Sequence, residues 1–243
     1  MELPLGTTDR IVTWLRNYVA EAGAGGYVVG LSGGIDSACT AVLCRRATGN
    51  SVLGVLMPCN NSPRDAELAH LLADTFGIET VTVALESTWD TLLGALPAAS
   101  DLARANIKPR LRMTILYALA QTHGYLVAGT GNKSEIAVGY FTKYGDGGVD
   151  IEPLGELYKT QVRLLAAKLG IPQTIIDRPP TAGLWEGQTD EGEMGITYEA
   201  LDTTLAAIEA GDTGHLDPAQ VARVQQMLAS SAHKRSMPPV CPL

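Results

Sequence analysis

Apolar residues in this chain follow two alternating rhythms: short unbroken runs, and longer stretches in which they recur every three or four positions. Tyr27-Val28-Val29-Gly30, Ser51 to Pro58, Glu79 to Ala84 and Tyr125-Leu126-Val127-Ala128-Gly129 are of the first kind. Their length and their glycine or proline stops predict buried strands. The second rhythm predicts helices over Thr8 to Ala22, with Ile11, Val12, Leu15 and Val19 on one face, and over Ala38 to Arg45, with Cys39, Val42 and Leu43 inward. A third helix opens at Asn61-Ser62-Pro63 and runs through Leu68, Leu71, Leu72 and Phe76 to Gly77. Others are expected at Trp89 to Leu96, Lys159 to Leu169, Tyr198 to Ala210 and Pro218 to Ala229. Asp101 to His123 is helical in pattern but contains Pro109, so either a helix begins at that proline or a longer one kinks there. Gly139 to Tyr158 and Arg178 to Gly195 are rich in glycine and charge and predict long loops, the second of them mobile.

Strand and helix in alternation predict an α/β fold: a doubly wound, mostly parallel sheet with right-handed crossovers and helices on both faces. No repeat, low-complexity tract or linker interrupts the 243 residues, so one domain over residues 1–243 is expected. Ligands of such sheets bind beyond the carboxyl ends of the strands, where strand order reverses. Two polar glycine turns lie at strand ends of this kind, one at Ser32 and one at Thr130.

The balance of charge narrows the function. A net charge of -8 gives no basic field for a nucleic-acid backbone, so no nucleic-acid partner is expected. The four cysteines, Cys39, Cys44, Cys59 and Cys241, form no C-x-x-C pair, which predicts free thiols and a reducing, cytoplasmic setting. No apolar run approaches the length of a membrane span, and the first residues, with Glu2 and Asp9, lack the apolar core of an export signal.

The turn after the first strand, Leu31-Ser32-Gly33-Gly34-Ile35-Asp36-Ser37, joins a strand to a helix. Its glycines admit positive φ and let an anion approach backbone N–H groups, while the helix start adds free N–H groups and the positive end of its dipole. Asp36 would repel a bare phosphate, so a divalent cation between carboxylate and phosphate suits the pattern. The bland alternative is a helix capped by Ser32 with Asp36 favouring the dipole. Neither a Walker A lysine motif nor a complete dinucleotide fingerprint is present.

The seven-residue string resembles the PP-loop of the ATP pyrophosphatases, whose fold is adenine-nucleotide α-hydrolase-like. Further strings, Asn106-Ile107-Lys108-Pro109-Arg110-Leu111-Arg112-Met113, Gly129-Thr130-Gly131-Asn132-Lys133-Ser134-Glu135, Thr142-Lys143-Tyr144-Gly145-Asp146-Gly147-Gly148 and Pro179-Pro180-Thr181-Ala182, are similar to NAD synthetase within that superfamily. The resemblance implies ATP-dependent amidation of deamido-NAD by ammonia through an acyl-adenylate, with Mg²⁺, releasing AMP and pyrophosphate. It puts ATP on Gly30, Leu31, Ser32, Gly33, Gly34, Ile35, Asp36, Ser37, Thr130, Lys159 and Thr181, and Mg²⁺ on Asp36 and Glu135. Asp36 and Lys159 are the catalytic residues it implies, and Arg110, Lys143, Asp150, His233 and Lys234 are its deamido-NAD residues.

Each assignment has a plain counterpart. Glu135 alone would be a first-turn acid with Ser134 capping, Lys159 a solvated helix start, Asp150 a turn residue and His233 part of a polar tail. Arg110 and Arg112 stand about 200° apart on a helix, so the match takes Arg110 and leaves Arg112 to a surface or structural ion pair. The family commonly has alanine where Pro109 stands. It also implies a homodimer with the dinucleotide across the boundary, to which the stripe of residues 11 to 19 would contribute. No glutaminase machinery is visible, so free ammonia is the expected donor, with a separate glutaminase partner left open. A tRNA-modifying pyrophosphatase or a sensor without catalysis are the competing readings.

Overall fold

The computed structural model describes residues 1–185 and 187–242. Four strands, β1 (Tyr27–Gly30), β2 (Val52–Leu56), β3 (Glu79–Thr82) and β4 (Leu126–Val127), form one sheet in the order β3-β2-β1-β4. Every pairing is parallel, and Val28 stands level with Leu53 on one side and Val127 on the other. The helices in chain order are α1 (Thr7–Glu21), α2 (Ile35–Thr48), α3 (Pro63–Phe76), α4 (Glu86–Ala95), α5 (Asp101–Ala105) and α6 (Ile107–His123). After them come α7 (Lys133–Val138), α8 (Lys159–Leu169), α9 (Gln173–Ile176), α10 (Asp190–Met194), α11 (Tyr198–Ala210) and α12 (Pro218–Ser230).

Alternation along β1 divides the core. Tyr27 and Val29 face a cluster with Leu15, Val42, Leu43, Leu72, Val162 and Leu165, while Val28 faces the other layer with Leu53, Val55 and Val127, against which Leu111, Ile115 and Leu116 of α6 pack. Both faces of the sheet are thereby covered, as the near-continuous apolar strands require. A third cluster, around Tyr158, Tyr198, Leu201 and Val224, joins α7, α11 and α12 away from the sheet. Since β2 and β4 flank β1 on opposite sides, the strand order reverses between β1 and β4, and the two predicted ligand turns lie at that reversal.

Several boundaries differ from the sequence reading. In residues 101–123 the break falls at Asn106, between α5 and α6, and Pro109 sits in the first turn of α6, where its missing N–H needs no partner. The helix after the first turn begins at Ile35, three residues earlier than the apolar pattern suggested. The second long loop closes with a short helix, α10. The α1 stripe is spent internally: Leu15 and Val19 are buried and Ile11 and Val12 pack on the same core, leaving Trp14 and Tyr18 as the exposed apolar residues of that helix. Residues 11 to 19 therefore present that aromatic pair and the half-buried Ile11 and Val12 at the surface.

This division of α1 sets an expected outcome. Leu15→Ala should cost about 2–5 kcal/mol by cavity formation, whereas Trp14→Ala should cost less than about 1 kcal/mol as a surface change. Urea unfolding of the two variants compares them directly, and equal losses would mean that the stripe is not part of the core.

Candidate active site

The turn between β1 and α2 is shaped by Gly33, whose φ is 74° and whose position leaves no room for a Cβ beside the Asp65 carbonyl oxygen. No side chain caps α2. Instead of capping the helix, the Ser32 hydroxyl accepts the Gly34 N–H at 3.2 Å and lies 3.1 Å from the Ser37 hydroxyl, which donates to Gly34 O at 2.9 Å. The first-turn N–H groups of α2 are consequently not taken by a side-chain cap, which is the condition for holding an anion there.

Asp36 faces α7 across the strand reversal. The cap of α7 is Asn132, not Ser134: its Oδ1 accepts the Glu135 N–H at 3.1 Å while Glu135 Oε2 accepts the Asn132 N–H at 3.3 Å. The remaining Asn132 donor, Nδ2, reaches Asp36 Oδ1 at 2.9 Å, so one residue orients both carboxylates. Lys159 opens α8, and its Nζ lies 2.5 Å from Asp36 Oδ2 and 3.1 Å from Glu135 Oε1. Far from being solvated, Lys159 is 2% exposed. Burial pulls its ammonium down, but Asp36 and Glu135 outweigh that and hold it firmly charged. Glu135 is pushed up to about 7, by burial first, with Lys159 opposing and Asp36 and Asp190 adding to the rise.

A cavity of about 650 Å³ opens over this cluster. It brings together Gly30, Leu31, Ser32, Gly34, Ile35, Asp36, Ser37, Thr130, Glu135, Lys159 and Thr181 with Arg110, Lys143, His233 and Lys234. Those last four are tied through main-chain carbonyls. Arg110 donates to Lys143 O at 3.3 Å, Lys143 Nζ to His233 O at 2.6 Å, and Lys234 Nζ to Gly139 O and Phe141 O at 2.8 and 2.7 Å. None of Arg110, Lys143 and Lys234 forms a salt bridge among the described residues. Thr181 lies on a segment pinned over the cavity by Arg178 to Asp65 at 2.6 Å, Asn61 to Gly183 O at 3.1 Å and Lys108 to Leu184 O at 2.9 Å.

Two sequence expectations stand apart. Arg112 forms no ion pair among the described residues; it donates to Met57 O and Asn61 Oδ1 and lines the cavity along with Arg110, because the cavity wraps around the start of α6. Asp150 lies outside the cavity on this chain's surface, where its carboxylate accepts the Val127 N–H at 2.8 Å and the Tyr117 hydroxyl at 3.0 Å. The structure adds Asn132, Asp190 and Tyr198 to the cluster. Tyr198 lies within hydrogen-bond distance of Glu135 at 3.1 Å and Asp190 at 3.0 Å, donating its one proton to either. The Asn-x-x-Glu spacing could have revealed Asn132; Tyr198 reads as a core position of α11, and no pattern marks Asp190.

Two converging carboxylates suit a hard divalent cation whose other oxygens come from a nucleotide phosphate. No group of three or more His, Cys, Asp or Glu side chains that could hold a metal ion exists among the described residues.

The family model described as NAD synthase matches residues 7–238. The chain belongs to the NAD synthase family. The chain is 47% identical to the NH(3)-dependent NAD(+) synthetase of Carboxydothermus hydrogenoformans, with 96% of each chain covered. It superposes on the NMN synthetase of Francisella tularensis with a TM-score of 0.91, 36% identity and 98% of both chains covered. The NH3-dependent NAD synthetase of Campylobacter jejuni gives a TM-score of 0.85 at 30% identity, covering 97% of this chain and 98% of that one.

The Gly129-Thr130-Gly131 turn rests on Glu152, which accepts the Gly131 N–H at 3.0 Å and crowds the position a Cβ would take at Gly129. Burial pushes the Glu152 carboxyl up to about 8, opposed by the Gly131 N–H and reinforced by Glu135 and Asp146. A folded-state value above the unfolded 4.5 means that this group's stability contribution is complete below about 4.5 and is lost as pH rises through about 8. Glu152→Gln should therefore flatten the fall in melting temperature between pH 5 and 9, each kcal/mol recovered appearing as about 2–4 °C. Parallel melting curves for the two proteins would remove Glu152 as the source.

Proposed function

We propose that this protein joins ammonia to the nicotinate carboxylate of deamido-NAD in two steps at one cavity. The observation that carries this reading is the meeting of Asp36, Glu135 and Lys159 at a glycine turn, in a cavity whose other wall holds Arg110, Lys143 and Lys234 without salt bridges among the described residues. The turn from Gly30 to Ser37, with Thr130 and Thr181, receives ATP; the wall of unpaired cations and His233 receives the anionic dinucleotide. Asp150, outside the cavity on its own chain, fits a role at a neighbouring subunit of a homodimer.

In the first step a carboxylate oxygen of deamido-NAD attacks the α-phosphorus of ATP. The bond to the bridging oxygen breaks and pyrophosphate leaves, while Lys159 and the N–H groups of α2 take up its growing charge. In the second step ammonia attacks the acyl carbon of the adenylate, a proton is lost to solvent, and AMP leaves as the amide forms. Adenylation is needed because a bare carboxylate would have to expel oxide. Mg²⁺ held by Asp36 and Glu135 would neutralise phosphate charge during pyrophosphate departure. Such chemistry belongs to a cytoplasmic, single-domain enzyme using free ammonia.

A mononucleotide substrate is the second reading, favoured by the similarity to an NMN synthetase over nearly the whole chain. Assays with purified protein, ATP and Mg²⁺ separate the two by comparing kcat/KM for deamido-NAD and nicotinate mononucleotide. Ammonium should support product formation and glutamine should not; NAD, AMP and pyrophosphate should appear in equal amounts. No amide product with either acceptor would overturn the proposal.

Asp36→Asn should reduce turnover at least about 100-fold while leaving a folded protein, because Glu135 still faces Lys159. Near-normal rates would exclude its metal role. Arg110 is exposed at the cavity rim, so Arg110→Ala should raise KM for deamido-NAD about tenfold and change KM for ATP less than about twofold. Equal increases for both substrates would place Arg110 elsewhere in the binding scheme.

A further inference from the structure

Asp202 of α11 is 1% exposed, yet it forms no ion pair among the described residues. Every hydrogen bond it receives comes from the start of another helix. Its Oδ2 accepts the Thr160 N–H at 2.9 Å and the Thr160 hydroxyl at 2.8 Å, and its Oδ1 accepts the Ser134 hydroxyl. The Ser134 oxygen in turn accepts the Lys159 N–H at 2.9 Å. One carboxylate thereby satisfies the opening N–H groups of α8, two of them directly or through Ser134, and lies at the positive end of that helix.

The partners of this carboxylate are the sequence neighbours of the working groups: Ser134 precedes Glu135, and Thr160 follows Lys159. Glu135 and Lys159 stand 3.1 Å apart on helices that share this buried anchor, with Glu209 of the same α11 joining Lys133 to Tyr158 at the opening residues of the two helices, whereas Asp36 approaches from α2 and makes no bond to Asp202. A displacement of Asp202 would shift two walls of the carboxylate cage against the third. The wall of Arg110, Lys143 and Lys234 is built on α6, the loop after α7 and the tail, none of which touches Asp202 by a hydrogen bond.

We infer that Asp202 is a positioning residue for the metal and triphosphate half of the reaction: through Ser134 and Thr160 it sets the spacing of Glu135 and Lys159. The inference rests on the reading of Asp36 and Glu135 as cation-holding carboxylates. It acts on one substrate and not the other, which a general structural role would not do.

The experiment measures Mn²⁺ binding by paramagnetic resonance in the presence of α,β-methylene-ATP, which cannot be cleaved, using the full chain and the Asp202→Asn, Ser134→Ala and Asp36→Asn variants. Asp202→Asn should weaken Mn²⁺ binding about 10–100-fold, lower kcat to a similar degree and leave KM for deamido-NAD within about twofold of wild type. Ser134→Ala removes one hydroxyl and keeps both Asp202–Thr160 bonds, so it carries the test if Asp202→Asn does not fold; it should show the same split at smaller amplitude. Wild-type Mn²⁺ affinity in the folded variants, with only a lowered melting temperature, overturns this inference. Equal Mn²⁺ binding by wild type and Asp36→Asn overturns the reading of the cage, and this inference with it.

Discussion

The site depends on one buried ammonium shared by two carboxylates. Lys159, Asp36 and Glu135 come from three distant parts of the chain, and their approach to 2.5 and 3.1 Å brings the starts of α2, α7 and α8 to a single point. Such a group is a poor device for stability. Desolvating these charges costs several kcal/mol per ion, and a well-packed apolar set of similar volume is often no less stable. The protein nevertheless spends three helix starts on it and surrounds it with oriented donors from Asn132 and Tyr198. A cluster of this kind makes physical sense where a highly charged ligand is to be met, because the protein's charges and dipoles are already aimed and need not reorganise when it arrives.

Sheet topology is what makes that convergence possible. Order β3-β2-β1-β4 puts the end of β1 beside the end of β4, so the Ser32 turn and the Thr130 turn share one crevice. β4 itself is only two residues long, and its position is reinforced from outside by Asp150, which takes the Val127 N–H, and by the bridge between Ala128 and Ile151. From there the chain passes to Asn132, which orients Asp36. A surface carboxylate thus helps locate the half-buried Asp36, through a short strand and one asparagine.

The fold was legible because its signals are local. Unbroken apolar runs at Tyr27 and Val52, Ser62-Pro63 as a helix opening and Gly77 and Gly170 as helix stops all act within a few residues of themselves. Pro109 left two readings open because proline marks a place where a helix can start as well as one where it breaks, and only packing distinguishes a first turn from an interior. The family was legible by resemblance, since its strings hold glycines that tight turns require beside charged residues in a fixed order. Asp190, Asp202 and Tyr198 were not. Their meaning comes from which helix lies opposite, and a carboxylate or phenol on the inward face of α11 carries no periodic mark separating a site neighbour from a core residue. Arg112 escaped for a related reason: helical angle gives the direction of a side chain's root, while a guanidinium at the end of a long stem reaches around the helix.

Charge distribution completes the physical picture. A protein of net charge -8 would repel polyanions at long range, so affinity for a triphosphate and a dinucleotide must come from groups inside the cavity. The chain segregates them. Asp36, Glu135 and Asp190 gather at one end around Lys159, and Arg110, Lys143 and Lys234 stand at the other, hydrogen-bonded to carbonyl oxygens and without a salt bridge among the described residues. A carbonyl holds a cation in place without neutralising it, so each remains available to an incoming anion. Within a cavity of this size, partly screened from water, such short-range fields outweigh the net charge of the surface, whose reach in salt is about 8–10 Å. Selection among anions then falls to geometry: a ligand must reach from the glycine turn beside Lys159 to the wall of Arg110, Lys143 and Lys234 across one cavity.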